Sequence, residues 1–322
     1  MLIALRYLGW AAKPIARLGT SKVNQLLLKD LRRWRISQAF VRTDPEGSTP
    51  IIVERITKDP SGNPKHSFHW RCDGCGSRYP GYKPELLSVA EKIAPKIAEA
   101  KVFFFDRVSA GALHLARAAK DAGAIVFFEP CSIGNPLLFR QAWEVSHVVK
   151  YSHERLSDFP DLAVESSPQL VIETLGDAGL RYLRRSASKR AGTWANLKAL
   201  PINDLKDAAG AGDWCTAGII SKLGVNGFAG FSMASDRHIR QAMQFGQALA
   251  SWNCRFEGAR GGMYTVPKAQ FRSQIERILS GTTHLLPIDR NMPSHQAVSN
   301  ALCSICELAS GTKVQVKKRK AR

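Results

Sequence analysis

Apolar and polar positions along this chain follow two different rhythms, and the change between them divides it. From Leu86 onward the pattern runs helix, strand, helix, strand. Helical spacing covers Leu86 to Ala100, and Val102 to Phe105 is a short apolar run of strand length. Ala110 to Ala122 is helical again, Ala124 to Phe128 is a strand, and a helix runs through Leu137 to Trp143. Val148 to Lys150, Leu170 to Glu173 and Leu180 to Leu183 read as further strands, the last two placed to pair. Strands alternating with helices predict an α/β fold, a mostly parallel sheet with helices on both faces. Ligands of such sheets gather at the carboxyl ends of the strands.

Before Leu86 the rhythm differs. Leu26, Leu27, Leu28 and Leu31 sit at helical spacing, and Ile36 to Val41 reads as a strand edge. Ile51 to Ile56 is a strand, Pro60 to Pro64 a turn, and His66 to Trp70 the partner strand of a hairpin. Residues 36–85 therefore read as a small β stretch within a domain spanning 1–280. After Ser280 the periodicity fades, leaving 281–322 as a C-terminal extension.

With 322 residues, 44% of them hydrophobic, the chain can bury a substantial core. No apolar run reaches the length of a membrane span, so a soluble protein is expected. The first 29 residues hold five basic residues and no acid, like a transit peptide, but run on into the helical pattern through Leu31 and Trp34. Seven cysteines, an odd number, argue against a disulfide framework. The expected location is the cytoplasm. The net charge of +19 favours anionic partners or phosphorylated ligands. Part of it lies in a terminal run from Lys313 to Arg322 that reads as a solvated end. No aromatics interleave with that run, so base stacking on nucleic acid has no support there.

The candidate chemistry centres on Asp207-Ala208-Ala209-Gly210-Ala211-Gly212-Asp213, which leads into an apolar helical pattern. Glycines allow close backbone approach, and the N–H groups that open a helix form an anion site. Asp213 in the first turn can take a proton from a hydroxyl held beside that site. Backbone donors for a phosphoryl group and a base for the attacking alcohol are the parts of a phosphotransferase. An Asp serving only as a helix cap is the alternative for this segment alone.

Placed after an α/β run, this glycine turn resembles the C-terminal signature of the PfkB (ribokinase-like) carbohydrate kinases. Other segments agree in order: Leu8-Gly9-Trp10, Ala16 to Gly19, Glu129-Pro130, Thr174 to Gly179, and Asn253 through Gly258-Ala259. The resemblance covers roughly Leu5 to Val266 and implies a ribokinase-like fold. It implies transfer of the γ-phosphoryl group of ATP, with Mg²⁺, to a hydroxyl of a sugar or nucleoside-like substrate. Asp213 would be the base, and Gly210, Ala211 and Gly212 the anion hole. Asp207, Thr174, Gly176, Gly179, Asn253 and Gly258 would bind the nucleotide, although Thr174 to Gly179 also reads as an ordinary turn between strands. Residues 36–85 would be the small β lid, and lids of this family often pair between subunits, which implies a homodimer.

Three departures from the family pattern stand out. The family's opening strand with its substrate Asp, Gly-Gly segment and Asn have no counterpart before Leu5. A truncated start, a partner-supplied wall, or loss of sugar binding would each account for that. The family's Asn-x-x-Glu motif appears as Ser152-His153-Glu154-Arg155, leaving Glu154 for the magnesium shell. Ala208 stands where the family usually has Thr. A non-catalytic nucleotide-binding or nucleic-acid-associated regulatory protein of the same fold is the competing expectation.

Cys72-Asp73-Gly74-Cys75-Gly76 has the form of a zinc knuckle, and Cys303-Ser304-Ile305-Cys306 offers a second pair. Folded together they would make a four-thiolate structural zinc site. Cys303 and Cys306 also fit one face of an apolar helix. Cys131, Cys215 and Cys254 read as core thiols, and Arg260 as a solvated loop cation.

Overall fold

The computed structural model describes residues 1–58, 60, 64–156, 168–185, 193–202 and 204–281, with backbone alone at 58 and 64–66. Cys303, Cys306 and the basic tail lie outside the described residues.

Six strands form the central sheet: β5 (Val102–Phe105), β6 (Ile125–Phe128), β7 (Val148–Ser152), β8 (Leu170–Thr174), β9 (Leu180–Arg184) and β10 (Trp194–Leu197). Their spatial order is β10-β9-β8-β7-β6-β5. The four strands β5 to β8 run parallel, and β9 and β10 complete the sheet antiparallel. Alternation along each strand feeds two cores. Ile125, Phe127, Val148, Leu170 and Ile172 face one side. There they meet α6 (Ala211–Leu223), α8 (Asp236–Asn253) and α10 (Lys268–Leu279). Val126, Phe128, Val149 and Val171 face the other side, against α4 (Ala110–Asp121) and α5 (Pro136–Val145). With period two, Lys150 falls on the α6 side of the sheet.

The helix starts follow local chemistry. Ser109 Oγ accepts from Ala112 N at 3.1 Å, and Asn135 Oδ1 accepts from Leu137 N and Leu138 N at 3.0 and 3.1 Å. Ser235 Oγ accepts from His238 N at 3.2 Å at the head of α8. The helix expected over Leu86 to Ala100 is shorter. α3 (Leu87–Ile93) gives way to a 3₁₀ turn at Ala94–Ile97, because Pro95 brings no N–H to the ladder.

Outside the sheet stand α1 (Leu2–Tyr7), α7 (Gly227–Ser232), α9 (Gly261–Thr265) and two small β units. β1 (Ile15–Leu18) and β2 (Phe40–Thr43) pair in parallel across α2 (Lys22–Arg33). The strand expected over Ile36 to Val41 is thus displaced: Ile36 is buried in the preceding loop, and the paired residues start at Phe40. β3 (Val53–Lys58) and β4 (Pro64–His69) form an antiparallel hairpin. The Cys72–Cys75 turn follows, with Gly76 N donating to Cys72 O at 2.7 Å and Gly76 at φ +74°.

His147, at the entry to β7, is 5% exposed and accepts from Val126 N through Nδ1 at 3.0 Å. Burial, then the charge of Lys120, pulls its pKa down to about 4. The unfolded chain, with an ordinary histidine pKa of about 6.5, therefore takes up this proton first as pH falls. The contribution of His147 is complete above about pH 6.5 and is lost progressively down to about pH 4, amounting to about 3 kcal/mol. Urea unfolding of the protein and of His147→Asn checks this: the wild type should steepen its loss of stability across that window, and parallel curves would refute it.

Candidate active site

The loop after β10 enters α6 through Gly210, which adopts φ +72°. A Cβ there would lie 2.7 Å from Ala259 Cβ, so only glycine lets the two backbones meet. No side chain caps α6. Trp214 N is the first amide to reach back into the helix, to Gly210 O at 2.9 Å. The Gly212 and Asp213 amides lie within the first turn, where an α-helix provides no carbonyl partner. The positive end of the helix dipole coincides with them. Asp213 stands in that turn with its side chain 54% exposed, and the Met1 nitrogen lies 3.4 Å from its Oδ1.

A second loop, after α8, clamps the first. Asp207, buried at 1% exposure, accepts from Ala209 N at 2.9 Å through Oδ1 and from Gly258 N at 2.8 Å through Oδ2. Asn253 Nδ2 donates to Ala209 O at 2.7 Å, and Trp214 Nε1 to Ala259 O at 2.9 Å. Asp207 thus spends its carboxylate, and Asn253 its amide nitrogen, shaping the turn, and Gly258 is brought beside it. Arg260 is not a solvated cation: its guanidinium donates to Asp30 Oδ2 at 2.9 Å.

Beneath the turn lies a network absent from the sequence-based candidates. Lys150 Nζ, in a side chain 2% exposed, donates to Glu129 Oε1 at 2.6 Å and approaches Gly212 O at 3.5 Å. Thr216 Oγ1 donates to Glu129 Oε2 at 2.6 Å and lies 3.0 Å from Gly212 O. Burial works against the Lys150 ammonium, but Glu129 beside it outweighs that and holds its pKa above the usual lysine value. Holding the Gly212 carbonyl from below fixes the direction of the turn's N–H groups before any anion arrives, which is electrostatic preorganisation. The sequence signal was available: one charged residue inside the apolar run Val148-Val149-Lys150-Tyr151.

Thr174 to Gly179 joins the antiparallel strands β8 and β9, at the carboxyl edge of the parallel strands. Thr174 Oγ1 donates to Tyr151 O at 3.3 Å. Gly179, at φ +103°, is required by packing, since a Cβ would sit 2.2 Å from Leu197 O. Gly176 has open space around it. Glu154 lies in a turn after β7, not on a helix; it is exposed and makes no ion pair among the described residues. Its carboxylate fits the oxygen preference of magnesium.

Cys215 and Cys254 are buried, and burial pushes their thiols up to about 11 and about 12, so they are inert. Cys131 departs from the core reading: it is partly exposed, against Arg107 and Ser132. Among the described residues no group of three or more His, Cys, Asp or Glu gathers as a metal site, and no helix is long and apolar enough to cross a membrane.

No family model matches the chain. A curated relative, "Probable fructokinase-6, chloroplastic" of Arabidopsis thaliana, is 24% identical over 285 residues, 80% of this chain and 68% of the relative. Among solved structures, ribokinase from Giardia lamblia matches with TM-score 0.66 at 14% identity, covering 87% of this chain and 86% of that one. Fructokinase with bound ATP from Xylella fastidiosa matches with TM-score 0.65 at 16% identity, covering 88% and 89%. Burkholderia thailandensis nucleoside kinase in complex with inosine matches with TM-score 0.61 at 17% identity, covering 87% and 84%. The structural likenesses establish the ribokinase-like fold, and four-fifths of the chain is similar in sequence to a fructokinase.

Proposed function

We propose that the chain is an ATP-dependent phosphotransferase acting on a hydroxyl of a sugar or nucleoside-like substrate. One observation carries this: an exposed carboxylate, Asp213, shares a helix turn with uncapped N–H groups that the Lys150–Glu129 pair holds in place. The acceptor hydroxyl gives its proton to Asp213 as its oxygen bonds to the γ-phosphorus of ATP. The bond from that phosphorus to the bridging oxygen breaks, and ADP leaves with the electron pair. Gly210, Ala211 and Gly212 form the turn that receives the phosphoryl oxygens. Thr174 and Gly176 line the nucleotide, with Gly179, Asp207, Asn253 and Gly258 keeping the surrounding loops in shape. Mg²⁺ accompanying ATP would neutralise phosphate charge, and Glu154 would be the residue to hold its shell. Structures of the same fold hold ATP in one case and inosine in another, which agrees with such a pair of ligands.

The test is ADP release from ATP and Mg²⁺ across sugars and nucleosides. Release that depends on the acceptor is expected. Tight ATP binding with no release for any acceptor would favour the non-catalytic nucleotide-binding alternative.

The lid contributes a second expectation, a homodimer. Ile52, Ile56 and Trp70 are 50%, 46% and 53% exposed and share one face of the β3–β4 hairpin by its alternation. An apolar face of this kind on a lid fits a second copy of itself. Light scattering should give twice the 35.5 kDa chain mass, and Ile56→Asp should halve it. A monomeric wild type would remove this expectation.

A further inference from the structure

Past β4 the chain makes a second, smaller hairpin around its first cysteine pair. Arg71 and Arg78 bridge in antiparallel fashion, Tyr79 N donates to Trp70 O at 2.8 Å, and Cys72 N donates to Ser77 O at 2.8 Å. Gly76 turns the chain back in the left-handed region, with φ +74°, as its N–H reaches Cys72 O at 2.7 Å. The result is a closed loop whose two cysteines share one small cluster with Tyr79, Ile51 and Val53. Cys72 is 1% exposed, and Cys75 is half-buried. That cluster is thin. Between Ile51 and Leu86, Cys72 and Tyr79 are the only buried apolar side chains among the described residues. A two-stranded unit with so little core is marginal in water, and small units of this kind are stapled by a disulfide or a metal.

The loop's chemistry favours a metal. A Cys-x-x-Cys turn closed by glycine presents two thiolates to one ion, half of the tetrahedral set that Zn²⁺ takes. Arg71 lies against the loop, its guanidinium donating to Gly76 O at 3.2 Å, and a neighbouring cation favours the thiolate form. Among the described residues no third donor gathers with the pair, and His69 of β4 is engaged with Ser67 Oγ at 3.0 Å. A tetrahedral site needs two more ligands, and the sequence offers one matching pair. Of the seven cysteines, Cys215 and Cys254 are buried elsewhere, and Cys131 stands singly beside Arg107. The remaining two, Cys303 and Cys306, repeat the Cys-x-x-Cys spacing. Cys303 follows Gly281 by 22 residues, about 70 Å of extended chain, enough to reach the hairpin from any exit on a domain of this size. We propose that Cys72, Cys75, Cys303 and Cys306 hold one structural Zn²⁺, which pins the C-terminal extension to the hairpin unit. The four thiols give up their protons on binding, and Arg71 offsets part of the negative charge of the resulting centre. The site stands apart from the phosphotransferase reading, so either can fail alone.

The experiment is elemental analysis of the full chain, purified under reducing conditions without chelator. It is compared with the double variants Cys72→Ser/Cys75→Ser and Cys303→Ser/Cys306→Ser. The wild type should carry about one zinc per chain, and each double variant less than about 0.2. Cys131→Ser is the control and should keep its full zinc content. Because a variant that lacks the metal can aggregate, the chelated wild type is also titrated with Co²⁺. A tetrahedral four-thiolate Co²⁺ site shows intense visible bands and sulfur-to-metal charge transfer in the near ultraviolet, both erased by Zn²⁺. Absence of zinc and of that spectrum would overturn the site, as would iron in place of zinc or a Cys72–Cys75 disulfide found by thiol counting. Zinc that survives the Cys303→Ser/Cys306→Ser change, at about one or about half an equivalent per chain, would also overturn it. Other donors, or the same loop of a second copy, would then complete the shell.

Discussion

Asp213→Asn is expected to lower turnover by about 10³-fold, within the range that a positioned general base contributes. ATP affinity should stay within about twofold. The amide keeps the shape of the carboxylate but cannot accept the hydroxyl proton, while the backbone donors of the turn are untouched. Folding should be little affected, because the side chain is 54% exposed and its charge interacts with the helix dipole by at most about 1 kcal/mol. Steady-state rates at saturating ATP and acceptor, with a thermal melt of each protein, decide the matter. A variant within tenfold of wild type would mean that water or another group takes the proton.

Lys150→Met should cost stability and activity together. It removes the ammonium from a site 2% exposed and leaves Glu129 with only the Thr216 hydroxyl. Breaking a buried pair from one side is expensive because the remaining charge is stranded. Glu129 keeps 22% exposure, so the cost should be about 2–4 kcal/mol in urea unfolding, below that of a fully sealed pair. Lys150→Met combined with Glu129→Leu should recover much of that loss, since no charge is then stranded. It should not recover activity, because the ammonium beneath the Gly212 carbonyl is gone and only the Thr216 hydroxyl is left to it. A single variant within about 1 kcal/mol of wild type would show that the pair is dispensable.

The strands from Val102 to Arg184 were legible nearly residue by residue, because each is a short, mostly apolar run of strand length. Pro95 was readable as a helix breaker, yet apolar spacing on both sides of it masked the stop. Phe40 to Thr43 was displaced because its partner, Ile15 to Leu18, lies across a whole helix and leaves no local mark. The Asp207 to Asp213 turn was visible by composition. The task of Asp207 was not, since one of its partners is 51 residues away in sequence. Lys150 differs again: it is a charge within a buried strand, a local anomaly that periodicity treats as noise.

The clamp on the glycine turn has a consequence for the order of assembly. Three of its hydrogen bonds join residues 44, 45 and 51 apart in sequence, so these cannot form within a local segment. Closing such loops costs chain entropy that is recovered only once α6 and α8 are docked against each other. The clamped shape of the glycine turn is therefore a late product of folding. A partly destabilised molecule should lose that turn while the sheet beneath it still stands.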